Sequence, residues 1–155
     1  MRLPEHTLNS FKLFAHWIYS DKIKLDLIPD PNENAEVAYF MDAWNLGDFL
    51  GATEFQNQVA DSAIKIVRAR PHIQPHPETM QKAPSGSPMF RLMVDQVAHF
   101  ANGAYVEEFG STWPIEFLLA VTKVLYNRND RPNFNPLQQN KCYYHLHPEG
   151  TTKCA

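Results

Sequence analysis

Glycine, cysteine and long apolar runs are all scarce in this sequence of 155 residues. With only six glycines the chain has neither a phosphate-binding loop nor a dinucleotide-binding fingerprint. No signal peptide follows Met1, and no uncharged run approaches the roughly 18 residues that a membrane-spanning helix needs. We therefore expect an intracellular protein, cytoplasmic or nuclear, that has no membrane partner.

Positive charge is also in short supply. The chain has 14 lysines and arginines against 17 aspartates and glutamates, which gives a formal net charge of −3. Nucleic-acid-binding proteins usually present an excess of positive charge to the phosphates, so this balance argues against a nucleic-acid partner. Hydrophobic residues make up 44% of the chain, enough for one folded domain with its own core.

Apolar residues recur at helical spacing through most of the chain and predict a mainly α-helical fold. We expect about five helices in an irregular bundle, with at most a short β element at residues 22–27. The predicted helices begin near Thr7, Asn34, Thr53, Ser87 and Trp113. Thr53 and Ser87 are predicted to cap their helices, since a side-chain hydroxyl can accept from a free N–H of the first turn. The last helix is predicted to turn Phe117, Leu118, Val121 and Leu125 inward.

Residues with catalytic potential do not assemble into a known motif, so we predict no catalytic residue and no enzyme activity. No Gly-x-Ser-x-Gly nucleophile elbow is present. His72 and His76 lie four residues apart, but the prolines around them disfavour a helix, and two ligands do not make a metal site. Glu107 and Glu108 are adjacent, and adjacent residues do not face each other on a helix.

The C-terminal tail carries one pattern that resembles a metal site. Cys142, His145, His147 and Cys154 offer two thiolates and two imidazoles, the ligands that tetrahedral structural zinc prefers. Their spacing matches no standard zinc finger. Three interpretations stay open: a structural zinc site, a loosely ordered tail with incidental ligands, and a disulfide. Apart from this zinc, the sequence predicts no cofactor.

Several segments, taken in order, resemble BTB/POZ domain proteins of the filamentous-fungal type. In this sequence they are LPE at residues 3–5, WIYSDKI at 17–23, WNLGDFL at 44–50, FQNQV at 55–59, GSPMFRLMVD at 86–95, WPIEFL at 113–118 and YHLH at 144–147. The first four are similar to the C-terminal part of a BTB domain, and the next two to the helical extension that follows it. Asp21 stands where the family has glycine, which predicts a different turn.

The resemblance implies four regions. Residues 1–70 would be a partial BTB/POZ-like helical region, 71–86 a proline-rich linker, 87–127 the C-terminal helical extension, and 128–155 a polar tail with the Cys/His cluster. The first half of a BTB domain, with its opening strands and central helical hairpin, has no counterpart here. We therefore expect a truncated module whose first two helices, around Trp17 and Trp44, keep an exposed apolar surface.

The function that the resemblance implies is non-catalytic protein–protein interaction, as an adaptor or oligomerisation module. The expected partner is another protein or a second copy of the chain, and members of this family also bind cullin-type ubiquitin ligases. The alternative, from a different class, is a small zinc-binding protein organised by the C-terminal Cys/His tail.

Overall fold

Seven α-helices make up the fold of the part of the chain that the computed structural model describes, which is residues 8–25, 35–127, 135 and 138–147. The helices are α1 (Leu8–Ser20), α2 (Ala35–Phe49), α3 (Thr53–Ala69), α4 (Pro77–Lys82), α5 (Pro88–Phe100), α6 (Gly103–Phe109) and α7 (Ile115–Tyr126). No strand occurs in these ranges, so the predicted mainly helical class is confirmed.

The described residues contain neither the predicted β element nor a helix that could cross a membrane. Residues 22–25 form no strand, and the rest of the proposed β element, like the LPE motif at residues 3–5, lies outside the described residues. Of the helices within the described ranges, none has both the length and the apolar character needed to cross a membrane.

Capping explains where the later helices begin. The Ser87 hydroxyl accepts a hydrogen bond from the Phe90 N–H at 3.1 Å, as predicted. Asn102 caps α6 in the same way, accepting from the Tyr105 N–H at 2.9 Å, and so begins a short helix that the periodicity does not reveal. Thr53 is the first residue of α3 and not its cap; the capping position belongs to Ala52, whose side chain cannot accept a hydrogen bond.

The centre of the core is α2. Its residues are apolar around almost the whole circumference, and Phe40, Met41 and Leu46 are completely buried. It packs against α1, α3 and α4. The expectation that α2 would keep an exposed apolar surface around Trp44 is therefore wrong, because Trp44 is only 3% exposed and the chain's own helices enclose it.

The proline-rich segment at residues 71–86 is part of the same core. It contains α4, whose Met80 is buried in the main hydrophobic cluster. The Lys82 ammonium lies 3.0 Å from the Asp42 carboxylate of α2, and the Asn45 side chain donates to the Lys82 carbonyl at 3.0 Å. These contacts hold α4 firmly against the central helix.

An aromatic cluster joins α1 to α3. The rings of Phe14 and Trp17 lie 5.0 and 5.3 Å from the ring of Phe55, measured between centroids. Gly47 lets α2 approach this cluster closely, since a Cβ at that position would lie 2.9 Å from a ring carbon of Phe55. Just after α1, Asp21 has a φ of 55°, a left-handed conformation that glycine adopts more easily than other residues.

Candidate interaction surface and the C-terminal segment

The last long helix, α7, is buried along only one side. Phe117 and Val121 point into the core, and the ring of Phe117 makes edge-on contacts with Phe90 and Trp113 at 5.6 and 5.8 Å. The opposite side carries large apolar side chains that are open to solvent: Ile115 at 70%, Leu118 at 42%, Leu119 at 63%, Leu125 at 47% and Tyr126 at 84%. We call these five residues the α7 face.

The α7 face forms one stripe, because Ile115, Leu118 and Leu119 lie on the same side of the helix as Leu125 and Tyr126, with the exposed Thr122 between the two groups. The prediction that Leu118 and Leu125 point inward is wrong. This helix is apolar on nearly every side, so periodicity alone does not single out the buried side. The sequence does carry one signal for the exposed face: α7 has more apolar residues than one side of a helix can bury.

A second exposed apolar surface lies on α1. Leu8, Phe11, Ile18 and Tyr19 are all exposed, while Trp17 is half-buried against the core. The expected apolar exposure is therefore confirmed for α1.

Residues 138–147, here called the C-terminal segment, lie along α3 and α5. Side chains from these two helices form hydrogen bonds with its backbone N–H and C=O groups. The Asn57 amide donates to the Leu146 carbonyl at 3.0 Å and accepts from the Leu146 N–H at 2.8 Å. The Arg91 guanidinium donates to the Tyr143 carbonyl at 2.7 Å and lies over the Tyr143 ring.

Tyr144 anchors the C-terminal segment in the core. Its side chain is 1% exposed, and its hydroxyl donates a 2.8 Å hydrogen bond to the Asp95 carboxylate of α5. Burial raises the pKa of Asp95 above its usual value, although the Tyr144 hydroxyl and the nearby His99 and Arg91 act in the opposite direction. Burial also raises the pKa of Tyr144, so the hydroxyl keeps its proton and remains a donor.

The raised pKa of Asp95 gives a pH dependence of known sign. The folded state holds this proton more tightly than the unfolded chain does, so the contribution of Asp95 to stability is complete below about pH 4 and is lost as the pH rises. Asp95→Asn has no such loss. We therefore expect the free energy of unfolding of the variant to rise relative to that of the wild type as the pH increases from 4 to 7. Urea unfolding at each pH measures it, and a difference that is constant with pH would contradict the assignment.

The residues of the proposed zinc set have other bonding partners in the described part of the chain. His145 Nε2 lies 2.7 Å from the Asp61 carboxylate, and His147 Nε2 lies 2.9 Å from the Cys142 carbonyl. Cys142 is disulfide-bonded, and a sulfur in a disulfide is not a thiolate ligand. Among the described residues no group of three or more His, Cys, Asp or Glu side chains is placed to hold a metal ion. Cys154 lies outside those residues; the four-ligand zinc site stays a prediction, and it requires Cys142 as a free thiolate and not in a disulfide.

The other candidate ligands and acid–base residues are two histidines and two glutamates. His72 and His76 do come together, since both line one cavity, although a loop and not a helix positions them. Glu107 and Glu108 are exposed on α6. Sequence reasoning missed the Asp95–Tyr144 pair and the role of Asn57, because nothing local links residues that lie 49 and 89 positions apart.

Comparison with known proteins identifies no related protein. No model of a protein family matches the sequence, and no curated protein and no solved structure matches it either. The BTB/POZ resemblance therefore stays a prediction.

Proposed function

We propose that this chain is a non-catalytic protein–protein interaction domain that pairs with a second copy of itself through the α7 face. The observation that carries the proposal is the exposure of five large apolar side chains along one side of α7. Contiguous apolar surface of this kind commonly marks a site of protein association.

The α7 face suits a second copy because it is complementary to itself when the direction is reversed. An exposed apolar residue stands at each end of the stripe, Ile115 at one end and Tyr126 at the other. Leu119 and Thr122 lie at equal distances on either side of its centre. Two such stripes packed antiparallel around a two-fold axis would place Ile115 of one copy near Tyr126 of the other. Leu119 of each copy would then lie next to the axis and face Thr122 of the other copy.

Charge at the edge of the stripe points to the same arrangement. Glu116 and Lys123 are both exposed and lie seven residues apart, so they occupy the same flank of α7. A two-fold axis keeps that flank on the same side of the seam in both copies. In the antiparallel pair Glu116 of each copy therefore lies close to Lys123 of the other, which gives two ion pairs across the seam.

The family resemblance supports the same general function. BTB/POZ proteins assemble as dimers or act as adaptors, and the segment that resembles the last helix of their fungal-type extension includes the start of α7. Recruitment of a cullin-type ubiquitin ligase is a finer proposal that rests on the resemblance alone.

Sedimentation velocity over a concentration series tests the pairing. We expect the wild-type chain to dimerise with a micromolar dissociation constant. Leu119→Glu places a carboxylate in the apolar seam and is expected to raise that constant at least about 100-fold. Because Leu119 is mostly exposed in one copy, the thermal unfolding of the monomer should hardly change.

The matched control is Ile18→Glu, which makes the same kind of change on the exposed face of α1 and is expected to leave the dimer intact. A wild-type chain that stays monomeric at 100-fold above the expected constant would contradict the proposal. So would a dimer that Ile18→Glu breaks and Leu119→Glu does not.

A further inference from the structure

A cavity of about 310 Å³ opens beside the loop that joins α3 to α4, and the α7 face takes no part in it. Its walls come from that loop, from the end of α5 and from α6. Three aromatic rings and three polar side chains dominate the lining: Phe100, Tyr105, Phe109, His72, His76 and Asn102. The volume is at the lower end of the range for small-molecule sites, whose linings also combine aromatic rings with a few polar groups.

Hydrogen bonds hold the walls of the cavity in place. The Tyr105 hydroxyl donates to the Pro75 carbonyl at 2.6 Å, which ties α6 to the loop. The Gln74 amide donates to the Pro71 carbonyl at 3.0 Å, and Gln96 of α5 donates to the carbonyl of Ile73 from beneath the loop. The site is therefore preformed, so binding would not have to order the loop.

The polar side of the cavity offers hydrogen-bond donors. His76 Nδ1 accepts from the Glu78 N–H at 3.5 Å, which assigns the ring proton to Nε2 and leaves that atom as a donor. His72 is exposed, and the Asn102 side chain, whose oxygen accepts from the Tyr105 N–H, keeps its NH₂ group as a donor. No carboxylate of the described residues lines the cavity, since Glu78 is exposed on α4 and lies outside the lining.

Aromatic rings form the apolar side of the cavity. The rings of Tyr105 and Phe109 lie 5.2 Å apart, and the His76 ring meets Phe109 edge-on at 5.8 Å. Aromatic groups prefer such stacked and edge-on contacts at centroid separations of about 4.5–7 Å.

We propose that this cavity binds a small aromatic carboxylate, with its ring against Tyr105 and Phe109 and its carboxylate accepting from His76 Nε2 and the Asn102 amide. N–H donors with no carboxylate beside them among the described lining residues favour a ligand with a negatively charged acceptor over a neutral one. A molecule with one or two rings fits the volume.

NMR titration of the full-length chain with benzoate tests the proposal, and benzyl alcohol serves as the uncharged analogue. Benzoate is expected to bind at millimolar concentration and to shift the ring resonances of Tyr105 and Phe109, while benzyl alcohol binds at least tenfold more weakly. His76→Asn should weaken benzoate at least about tenfold. Asparagine is itself a good capping residue, so α4 should remain formed. His16→Asn, on α1, is the matched control and should leave binding unchanged.

Three results would overturn the proposal. The first is the absence of benzoate-induced shifts at these rings up to 20-fold above the expected constant. The second is equal binding of benzoate and benzyl alcohol, because the N–H donors would then select no charge. The third is unchanged affinity for benzoate in His76→Asn. None of these results bears on self-association, which the α7 variants test separately.

Discussion

Replacing Tyr144 with alanine is expected to lower the free energy of unfolding by about 3–5 kcal/mol, as for other fully buried aromatic residues. The substitution removes a side chain that is 1% exposed and leaves a cavity between α3 and α5. It also deprives the Asp95 carboxylate of its hydroxyl donor in a place where water does not easily replace it. Urea unfolding measures the loss.

Two further variants separate packing from hydrogen bonding at this site. Tyr144→Phe keeps the ring and is expected to cost about 1–3 kcal/mol, since it removes only the donor to Asp95. Tyr126→Ala, at a tyrosine that is 84% exposed, should change the stability of the monomer by less than about 0.5 kcal/mol. A loss below about 1 kcal/mol in Tyr144→Ala would show that the C-terminal segment does not belong to the core.

Replacing Phe55 with alanine should have an effect of the same size, about 3–5 kcal/mol, for a different reason. Phe55 is completely buried and is the ring on which both Phe14 and Trp17 of α1 rest. Without it α1 loses its main aromatic contact with α3. We therefore expect α1 to detach from the rest of the fold at lower denaturant than the remaining helices do.

Hydrogen–deuterium exchange checks this second prediction. In Phe55→Ala the amides of α1 should exchange faster than those of α5, because two rings of α1 rest on Phe55. Phe49→Ala, at a phenylalanine of α2 that is 45% exposed, is the control and should leave α1 protected. Equal protection of α1 in wild type and Phe55→Ala would contradict the role assigned to the cluster.

The sequence predicts the five long helices well because each carries a long apolar pattern and several have a recognisable start, such as Ser87. It indicates only a single helical turn at residues 78–81, within α4, and it does not predict α6, whose seven residues are too few to show a period. Nor does it identify the outward side of α7. A helix with apolar residues on nearly every side has no preferred buried side until its neighbours are known.

The contacts that hold the C-terminal segment could not have been predicted from local patterns. Asn57 and Leu146 are 89 positions apart, and an asparagine in the middle of a helix looks like an ordinary solvent-facing residue. The pair His72 and His76 shows the converse. The prolines correctly argue against a helix at this place, yet the loop still brings both side chains to one cavity, because a folded loop can do what helical spacing does elsewhere.

The self-pairing of α7 is tested most directly by reversing its two edge charges singly and together. Sedimentation velocity on Glu116→Lys and on Lys123→Glu should show a weaker dimer in each case, because each single change places like charges together across the seam. The double variant restores both ion pairs with their signs exchanged, so its dissociation constant should return close to that of the wild type. Single variants that dimerise as tightly as the wild type, or a double variant weaker than either, would contradict the antiparallel pairing of two α7 helices.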